Sequence, residues 1–495
     1  MRWHDLLAGL DVQERVGDAD VEVTSITEDS RRVAPGACFA ARAGGAFDGH
    51  EHAHDAVAAG AVALLVERAL PLDVPQARVG SVLRALGPAA SRLYGEPSRS
   101  VRCLGITGTA GKTTTTMLLA AITRAAGGRP GLIGSDGVFA DGDRISVETS
   151  TPTMPQADQV QELLAQMRDR GVDTVAMEVT SRALDQHRVD GTWFAAACFT
   201  NLSHEHLDDH GSMDAYFGAK LALFDPARVA VVATNVDDPY GERVREHASE
   251  AGLDVWTYGA RDTHADIGAT DIVLGDRGAE FTLVDRRTGG SERIVSPLLG
   301  EFNVTNALAA TATARAVGVS LEWIGEGLRA AHPVPGRVER IDAGQPFTVL
   351  VDYAHSPGEV TAVLRVARSL AVPAGRVIVA FGCGGNRDPS KRPLMGVAAD
   401  AAADLAIVTS DNPRHEDPQA IVDAVLPGFR TGRAEVRVQL DRRRAIGDAL
   451  RAARSGDVVV IAGKGAETGQ TTGDTVVPFD DRLVARAELE ALGWS

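Results

Sequence analysis

The chain has 495 residues, enough for about three domains of ordinary size. Its 44% hydrophobic and 24% charged residues are typical of a globular protein, and no apolar run reaches the roughly 18–20 residues of a membrane span. The net charge of −17, from 67 acidic and 50 basic residues, disfavours general binding to DNA or RNA but permits a local basic pocket for a nucleotide. Four separated cysteines form no CxxC pair and the N-terminus lacks a signal-peptide pattern, so we expect reduced thiols in a cytoplasmic protein without structural zinc.

The N-terminal segment mixes short strands with a short helix. The runs 21–26 and 62–66 are strand-like, and residues 51–59 between them are helix-like. The segment also contains two polar clusters, DSRR at 29–32 and a glycine-rich stretch at 44–50. Serine and glycine amides can bind a phosphate or a uracil edge, but plain turns are an equally good interpretation of such clusters.

The stretch GITGTAGKTTTT at residues 105–116, the phosphate loop, organises the middle of the chain. It follows the apolar run 101–104 and precedes a helical pattern. In such a strand–loop–helix unit, backbone N–H groups and the helix N-terminus face an anion, Lys112 supplies positive charge and Thr113 is placed to hold Mg²⁺. The general pattern has a glycine where this chain has Ile106, so a structural Gly/Thr-rich turn is the alternative to a nucleotide cradle.

From residue 101 to about residue 331, strand and helix patterns alternate, as in a mostly parallel sheet covered on both faces. Polar residues follow where the strands end, at the edge where open α/β sheets bind ligands. The strand candidates are 173–179, which runs into EVTS, 195–199, followed by TNLS, and 229–233, followed by TNVD. An alanine-rich helix at 302–317 closes this part of the chain before a proline-rich linker at 332–336.

The last third of the chain repeats this arrangement of apolar runs followed by polar or glycine-rich segments. The runs are 347–351, leading to DYAH, 377–381, leading to GCGGNR, 405–409, leading to DNPR, and 458–462, leading to GKGAE. The pattern predicts a second α/β domain, Rossmann-like, with its own ligand edge. No short repeat and no low-complexity segment interrupts the chain.

Three further regions contain candidate ligands or catalytic groups. Glu178, at a strand end, could hold a hard cation that bridges phosphate oxygens, although an isolated carboxylate is more often a surface group. The run SHEHLDDH at 203–210 contains His206 and Asp208, but its spacing fits no zinc motif, and structural histidines are the alternative. Lys220 lies in a helical pattern, where a solvated lysine is the simpler interpretation. The residues alone therefore predict a Mg²⁺-dependent nucleotide enzyme with a separate substrate domain.

Taken together, the motifs resemble those of the Mur ligase family along nearly the whole chain. In chain order they are DSRRVAPG, GTAGKTTT, MEVTS, HRVDG, FTNLSHEHLDDHG, AYFGAK, GEFNVTNALAA, PGRVER, VDYAHSP, GCGGNRD, SDNPRHEDP and GKGAE. The resemblance implies an α/β protein of three domains. These are a smaller N-terminal α/β domain for a UDP-linked substrate (1–97), a central P-loop ATPase domain with a mostly parallel sheet (98–334), and a C-terminal Rossmann-like domain for an amino acid (335–495).

The resemblance further implies an ATP-dependent amide ligase of peptidoglycan precursor synthesis. Such an enzyme phosphorylates the D-glutamate γ-carboxylate of UDP-N-acetylmuramoyl-L-alanyl-D-glutamate, and an amino acid then displaces the phosphate. The DNPR segment at 411–414 matches the family sequence associated with meso-diaminopimelate rather than L-lysine, since an arginine can bind the distal carboxylate that lysine lacks. A helix-starting turn is the alternative role of this segment. The implied partners are these substrates with ATP and Mg²⁺, and we expect a monomer with no nucleic-acid partner and no membrane span.

The resemblance also assigns roles to individual residues. Those matching ATP contacts are Gly108, Thr109, Ala110, Gly111, Lys112, Thr113, Thr114, Asn303, Asn306, Arg337, Asp352 and His355. Those matching contacts to the UDP-linked acceptor are Ser30, Ser150, Thr151, Thr180, Gln186 and Arg188, and those matching contacts to the amino acid are Arg387, Asp411, Asn412, Pro413, Arg414, Gly463 and Glu467. The implied metal ligands are Thr113 and Glu178 for one Mg²⁺, and His206 with a carbamylated Lys220 for a second. The implied catalytic residues are Lys112, His206 and Lys220.

The sequence departs from the family pattern close to the implied chemistry. The departures are Ala110 for asparagine or serine, Arg182 for histidine, Glu205 and Asn386 for aspartates, and Ala466 for the histidine of GKGHE. Ala110 leaves the backbone cradle intact, so we expect weaker rather than absent activity. Arg182 and Ala466 favour a second hypothesis, a Mur-like ligase that joins a different acceptor or amine in another pathway. A nucleotide-binding scaffold without activity is the third hypothesis, and any ATP-dependent amide product would exclude it.

Overall fold

The computed structural model describes residues 1–44, 48–147, 154–205 and 210–494. Three large sheets follow one another along the chain, each with helices packed against it. The predicted α/β class with mostly parallel sheets is confirmed. Across the described residues, no helix is both long enough and apolar enough to cross a membrane.

The first sheet has five strands. They are β1 Val12–Val16, β2 Ser25–Thr27, β3 Ala37–Ala41, β4 Ala63–Val66 and β5 Gln76–Val79, in the order β1-β5-β4-β3-β2. Only β1 is antiparallel to its neighbour. The helices are α1 Trp3–Leu6, α2 Ala53–Ala58 and α3 Val82–Leu93, with 3₁₀ turns at Ser30–Arg32 and Gly49–His52. The predicted strand at 21–26 begins later than expected, because Glu22 instead forms an isolated antiparallel bridge with Arg2.

The central sheet has eleven strands. They are β6 Arg102–Thr107, β7 Pro130–Gly134, β8 Gly137–Ala140, β9 Asp143–Ile145, β10 Thr174–Glu178, β11 Ala196–Phe199, β12 Val231–Asn235, β13 Asp254–Gly259, β14 Ile267–Gly275, β15 Gly278–Asp285 and β16 Ser291–Ser296. Their order is β16-β15-β14-β13-β12-β11-β6-β10-β7-β8-β9. The helices with it are α4 Pro97–Ser100, α5 Lys112–Ala125, α6 Ala157–Asp169, α7 Ser181–Asp185, α8 Met213–Leu221, α9 Pro239–Glu250, α10 Glu301–Ala316 and α11 Leu321–Arg329, with a 3₁₀ turn at Ala222–Phe224.

The strands from β14 through β7 in this order are parallel, whereas hairpins extend the sheet at both ends. The first hairpin at each end, β7–β8 and β14–β15, has a glycine with positive φ where its return strand begins, Gly137 at +122° and Gly278 at +139°. A Cβ at Gly278 would run into the Ser296 carbonyl, so the return strand needs glycine there. Strand β6 lies between β11 and β10, which places the phosphate loop at the centre of the parallel edge.

The third large sheet has six strands, β17 Glu339–Ile341, β18 Thr348–Asp352, β19 Val377–Phe381, β20 Leu405–Val408, β21 Glu435–Val438 and β22 Val458–Ala462. Their order is β17-β18-β22-β19-β20-β21, and only β17 is antiparallel. A separate hairpin joins β23 Gly469–Thr472 to β24 Thr475–Pro478. The helices are α12 Pro357–Leu370, α13 Lys391–Ala402, α14 Pro418–Val425, α15 Arg442–Ala452 and α16 Asp481–Ala491, with a 3₁₀ turn at Leu426–Gly428.

Two apolar layers enclose the central sheet. Along β6, Cys103 belongs to one layer, whereas Leu104 and Ile106 belong to the other, in keeping with the alternation of side chains along a strand. Helix α5 adds Leu118 and Ile122 to the second layer, and each fully buried Leu or Ile contributes roughly 1.5–3 kcal/mol. The phosphate loop is therefore held between two elements whose apolar residues are fixed in the core. All four cysteines are buried and free, as predicted.

Candidate active site

The glycines of the phosphate loop permit close contact with two neighbouring elements. Gly108 has φ +148° and Gly111 has φ +85°. A Cβ at Gly108 would run into the hydroxyl of Thr200, which follows β11, and a Cβ at Gly111 would run into the amide oxygen of Asn306 on α10. The unusual glycine spacing is therefore matched to the packing of this loop, since both positions exclude a larger residue.

The loop is also braced by side chains that follow β11. The amide oxygen of Asn201 accepts a hydrogen bond from the Ala110 N–H at 2.9 Å, and its amide nitrogen donates to the Ala110 carbonyl at 3.2 Å. The Thr200 hydroxyl donates to the same carbonyl at 2.7 Å. The Thr109 N–H donates to the Asn201 carbonyl at 2.9 Å. Both backbone groups of Ala110 are therefore hydrogen bonded, although Ala110 has no polar side chain of its own.

Two lysines, the half-buried Lys112 and the fully buried Lys220, donate to the carbonyls of this loop. The Lys112 ammonium donates to the carbonyls of Gly108 at 2.9 Å and Thr109 at 2.6 Å, and the Lys220 ammonium donates to the Gly108 carbonyl at 3.0 Å. Burial, together with the positive charge of Lys112, holds the pKa of Lys220 well below its usual value. Burial also lowers the pKa of Lys112, although nearby carboxylates oppose that shift. Lys112 thus places positive charge where nucleotide phosphates would lie, whereas Lys220 beside it is biased toward the neutral amine.

Oxygen ligands suitable for Mg²⁺ also lie beside the loop. Glu178, at the end of β10, is 1% exposed, and its two carboxylate oxygens accept from the Ser135 N–H at 2.9 Å and the Ser135 hydroxyl at 3.0 Å. The Thr113 hydroxyl, in the first turn of α5, accepts a long hydrogen bond of 3.4 Å from Arg337. Hard oxygen donors beside a phosphate cradle fit Mg²⁺. The predicted ligand His206 lies outside the described residues.

A histidine between two carboxylates joins the central and C-terminal parts of the chain. His355 Nε2 lies 2.8 Å from a Glu205 carboxylate oxygen, and its Nδ1 lies 3.4 Å from Glu359 and 2.9 Å from the Tyr353 carbonyl. Burial lowers the pKa of His355, but the two carboxylates outweigh burial and raise it to about 9. The protonated ring therefore pairs with both acids. Within the described ranges, this trio is the one group of His, Cys, Asp or Glu whose ligand atoms all lie within 4.8 Å of one another.

The remaining predicted ATP residues lie around the same loop. The Asn306 amide donates to the Asn303 side-chain oxygen at 2.9 Å, and the Asn303 amide donates to the Leu299 carbonyl at 2.8 Å. This buried pair fixes the oxygen of Asn306 against the glycine at position 111. The nucleotide side of the site is thus built on the first turns of α10.

Arg337 and Asp352 belong to the segment that enters the C-terminal sheet. The guanidinium of Arg337 stacks over the Tyr353 ring, 4.3 Å from its centroid. The Asp352 carboxylate accepts from the N–H groups of Val338 and Ala354, each at 2.7 Å. Burial raises the pKa of Asp352 to about 6, against the opposing charge of Arg337. Asp352 therefore shapes the turn that directs Arg337 toward the phosphate loop.

Three predicted acceptor residues cluster after β10. The Thr180 hydroxyl accepts from the Ala183 N–H at 3.1 Å and so caps α7. Arg188 is 7% exposed, donates to the Met154 carbonyl at 2.9 Å and also hydrogen bonds to the Gln186 side chain. Burial, followed by the charge of the nearby Arg182, lowers the pKa of Arg188. A buried arginine beside a second cation favours an anionic partner.

A fourth predicted acceptor residue, Ser30, lies on the N-terminal side. Ser30 begins a 3₁₀ turn, and Arg32 in that turn pairs with Glu162 of α6 at 3.0 Å. The first sheet is thereby fixed to the central part of the chain next to Ser30. The predicted residues Ser150 and Thr151 lie outside the described residues.

The predicted amine residues after β20 and β22 form one network. The Lys464 ammonium donates to the Asn412 side-chain oxygen at 3.0 Å and to Glu467 at 2.8 Å, and the Asn412 amide donates to the same Glu467 oxygen at 2.9 Å. Arg414, with φ +53°, donates to the Gly385 carbonyl at 2.6 Å. The carboxylate of Glu467, the guanidinium of Arg414 and the buried ammonium of Lys464 therefore lie at the carboxyl edge of the third large sheet.

Other members of the predicted amine set pack tightly there. Asp411 is 7% exposed, and its carboxylate lies close enough to Gly463, which has φ +120°, to exclude a side chain. The Pro413 carbonyl is packed against Gly385 in the same way. Arg387 is exposed and stands apart from this buried network.

Several residues that hold the site were not among the sequence predictions. These are Ser135, Asn201, Lys464, Arg442 and Asp481. Asn201 and Lys464 had a usable signal, since each follows a buried strand at the ligand edge. Arg442 and Asp481 had none, because each begins a helix far along the chain and only the packed structure brings them together at 2.6 Å.

Known protein families match this chain in three separate segments. Residues 106–314 match the Mur ligase middle domain, residues 336–465 the Mur ligase glutamate ligase domain, and residues 22–91 the Mur ligase family catalytic domain. A protein of Streptomyces avermitilis named UDP-N-acetylmuramoyl-L-alanyl-D-glutamate–2,6-diaminopimelate ligase is 43% identical over 485 residues, covering 96% of this chain and 94% of that protein. A protein of the same name from Geobacillus kaustophilus is 43% identical over 479 residues, covering 95% and 96%.

Solved structures give the same result. A structure of a UDP-N-acetylmuramoyl-L-alanyl-D-glutamate–2,6-diaminopimelate ligase superposes with a TM-score of 0.69 at 32% identity, covering 96% of both chains. MurF from Acinetobacter baumannii, at 21% identity and a TM-score of 0.67 over 99% of this chain and 98% of its own, shares the fold. Family profiles, relatives and structures agree across nearly the whole sequence, and this chain belongs to the Mur ligase family.

Proposed function

We propose that this Mur ligase joins meso-diaminopimelate to the D-glutamate γ-carboxylate of UDP-N-acetylmuramoyl-L-alanyl-D-glutamate, with ATP as phosphoryl donor. The observation that carries the proposal is the 43% identity, over 95–96% of the chain, to proteins named as ligases of diaminopimelate. The network around Asn412, Arg414 and Glu467 supports it, because it places anionic and cationic groups at one edge for an amino acid that carries both. Residues 1–97, 98–334 and 335–495 are the corresponding proposed domains of a cytoplasmic monomer.

The first step is phosphoryl transfer to a carboxylate. An oxygen of the D-glutamate γ-carboxylate attacks the γ-phosphorus of ATP, the bond to the β-phosphate oxygen breaks, and ADP leaves. Lys112 and the N–H groups of the phosphate loop stabilise the charge on the transferred group. Glu178 and Thr113 would hold Mg²⁺, which supplies charge neutralisation at the phosphate oxygens. Arg337 supplies a further cation from the C-terminal side, since it already reaches Thr113.

The second step is attack by the amine. The ammonium group first loses a proton to solvent, and the neutral nitrogen then forms a bond to the acyl carbon. The bond from that carbon to the phosphate oxygen breaks, a second proton passes from the nitrogen to solvent, and an amide and inorganic phosphate result. Arg414 binds the distal carboxylate of the amino acid, and Glu467 binds an ammonium group. Arg188 and Thr180 orient the acceptor beside the end of β10.

We also propose that Lys220 acts as a carbamate. Its burial beside Lys112 favours the neutral amine, which is the form that adds carbon dioxide, and the carbamate would change a cation into a carboxylate-like metal ligand. Proteins incubated with ¹³C-bicarbonate should show one carbamate carbon resonance that disappears in Lys220→Ala. The same spectrum in both proteins would contradict this assignment.

The direct test of the ligase reaction is an amine-by-amine product assay. Purified protein with ATP, Mg²⁺ and the UDP-linked dipeptide should release ADP and form the tripeptide product with meso-diaminopimelate. Preference for L-lysine would refute the amine specificity, and failure with this dipeptide would refute the acceptor.

A second candidate differs only in the acceptor. Arg182 is exposed, and after burial its positive charge is the next cause that lowers the pKa of the buried Arg188. The acceptor side therefore carries more positive charge than one arginine would supply. A ligase for a more anionic acceptor fits that observation. It gains support if Arg182→His raises activity with the UDP-linked dipeptide.

A further inference from the structure

A fully buried ion pair lies beneath the loops that carry the proposed amine site. Arg442 is the first residue of α15 and Asp481 the first of α16, and both side chains are 0% exposed. Nε of Arg442 donates to one carboxylate oxygen at 2.8 Å and Nη2 to the other at 2.6 Å. This parallel pair of charge-assisted bonds fixes the plane of the guanidinium.

The same guanidinium also donates to two main-chain carbonyls. Nη1 donates to the Ser410 carbonyl at 3.2 Å and Nη2 to the Ala462 carbonyl at 3.0 Å. Ser410 immediately precedes the DNPR segment after β20, and Ala462 immediately precedes the GKGAE segment after β22. Arg442 therefore contacts the chain where both loops leave the sheet.

These two strands are not neighbours. In the sheet, β19 lies between β22 and β20, so no ladder hydrogen bond joins the ends of β20 and β22 directly. Beyond the strand ends, their loops meet through Asn412, Lys464 and Glu467. Because Arg442 contacts each loop where it leaves its strand, it fixes the distance between the two loops that this side-chain network needs.

Further charges lie around the pair. Lys464 is fully buried and donates to Glu467, and although burial opposes it, Asp481, together with Asp411 and Glu467, raises the pKa of Arg442. The guanidinium therefore stays charged, and a displacement of either loop would separate charges that now lie together.

We propose that the Arg442–Asp481 pair is a positioning element for the amine substrate, setting the spacing between the DNPR and GKGAE loops without touching the substrate. This rests on the proposed function of these two loops. The expected consequence is selective. Loss of the guanidinium weakens amine binding, but leaves the phosphate loop unchanged, since the loop is braced by Asn201 and Thr200 on the central sheet.

Folding and positioning can be separated because a buried ion pair is often replaceable by apolar residues of similar volume with little loss of stability. The test variant is Arg442→Met with Asp481→Leu, which removes both charges and the two donors to carbonyls. The matched control is Arg443→Met with Glu488→Leu, an adjacent pair on the same two helices at 2.8 Å whose side chains are 56% and 17% exposed. Unfolding temperature and the KM values for ATP, acceptor and amine are measured for both, using the amine that the wild type consumes.

We expect the buried double variant to remain folded and to raise the amine KM by about tenfold or more, as loss of a charge-assisted network implies, with the other two KM values within about twofold. The exposed control should match the wild type in all three. An unchanged amine KM, or a parallel rise in all three values, overturns the inference. If the double variant unfolds below the assay temperature, the isosteric variant Asp481→Asn replaces it and is judged by the same KM criteria. If Asp481→Asn also unfolds, the pair serves folding alone and the inference is overturned. Inactivity of the wild type with every amine would instead count against the proposed function.

Discussion

The brace between Asn201 and the phosphate loop gives the sharpest prediction about nucleotide binding. Asn201→Ala removes the acceptor for the Ala110 N–H at 2.9 Å and the donor to the Ala110 carbonyl at 3.2 Å. The backbone bond from Thr109 and the Thr200 hydroxyl bond remain, so we expect the loop to stay folded but to lose its fixed shape.

The magnitude follows from the two lost hydrogen bonds. Each contributes about 0.5–1.5 kcal/mol, so the sum is about 1–3 kcal/mol. If the whole of it falls on the bound loop conformation, ATP affinity drops by roughly 5–150-fold, since about 1.4 kcal/mol corresponds to a factor of ten. Part of the loss falls instead on folding stability, which makes the lower half of that range the expected result.

The measurement is the Kd for ATP by calorimetry, with thermal unfolding as a companion. The matched control is Gln76→Ala, because the Gln76 amide likewise accepts from the Leu70 N–H at 2.9 Å and donates to the Leu70 carbonyl at 2.7 Å, in the first sheet rather than at the phosphate loop. It should lose similar stability but keep ATP affinity within about threefold. An Asn201→Ala variant that binds ATP as tightly as the wild type would refute the bracing argument.

The other predictions concern the lysine, the histidine and the amine loop. Lys220→Ala should abolish turnover, and added short carboxylates should restore part of it by replacing the carbamate; unaltered turnover in an ADP-release assay would contradict this role. The pKa of His355 is raised to about 9 by Glu359 and Glu205, against burial and the charge of Lys391, so its stabilisation is fully present below the unfolded value of 6.5 and is lost as pH rises through 9. The unfolding free energy of the wild type should exceed that of His355→Gln by about 1–2 kcal/mol at pH 6, allowing for screening of a side chain that is 31% exposed, and the gap should close by pH 10 in denaturant titrations. Arg414→Ala should raise the KM for meso-diaminopimelate at least tenfold while that for L-lysine changes little, and equal changes for both amines in steady-state assays would contradict selection by the distal carboxylate.

Much of the fold could be predicted because its strands are continuous apolar runs. The strands Val377–Phe381 and Val458–Ala462 lie where expected, since both are buried along their full length and polar or glycine-rich residues end them. The hairpins at the two ends of the central sheet were missed. Their strands are short or partly exposed, and what pairs them is the turn at Gly137 or Gly278 rather than an apolar run.

The phosphate loop was predictable as a local unit, whereas its glycine spacing was not explained until its neighbours were known. Gly108 is required by Thr200 and Gly111 by Asn306, and these contacts join residues about 90 and 200 positions apart in the chain. No pattern in the sequence pairs Glu205 with His355, because the contact joins the segment after β11 to the segment after β18.

The sequence by itself determined the class of chemistry, because the chemical groups of a phosphate cradle, a strand-end carboxylate and two polar sheet edges are local properties of the chain. Only the tertiary structure decided which of these groups act together and what holds them. A buried arginine such as Arg442 is indistinguishable in sequence from its exposed neighbour Arg443, since both lie at the start of one helix. Packing alone buries the first against Asp481 and leaves the second in solvent, and charge has its large effects only where water is excluded.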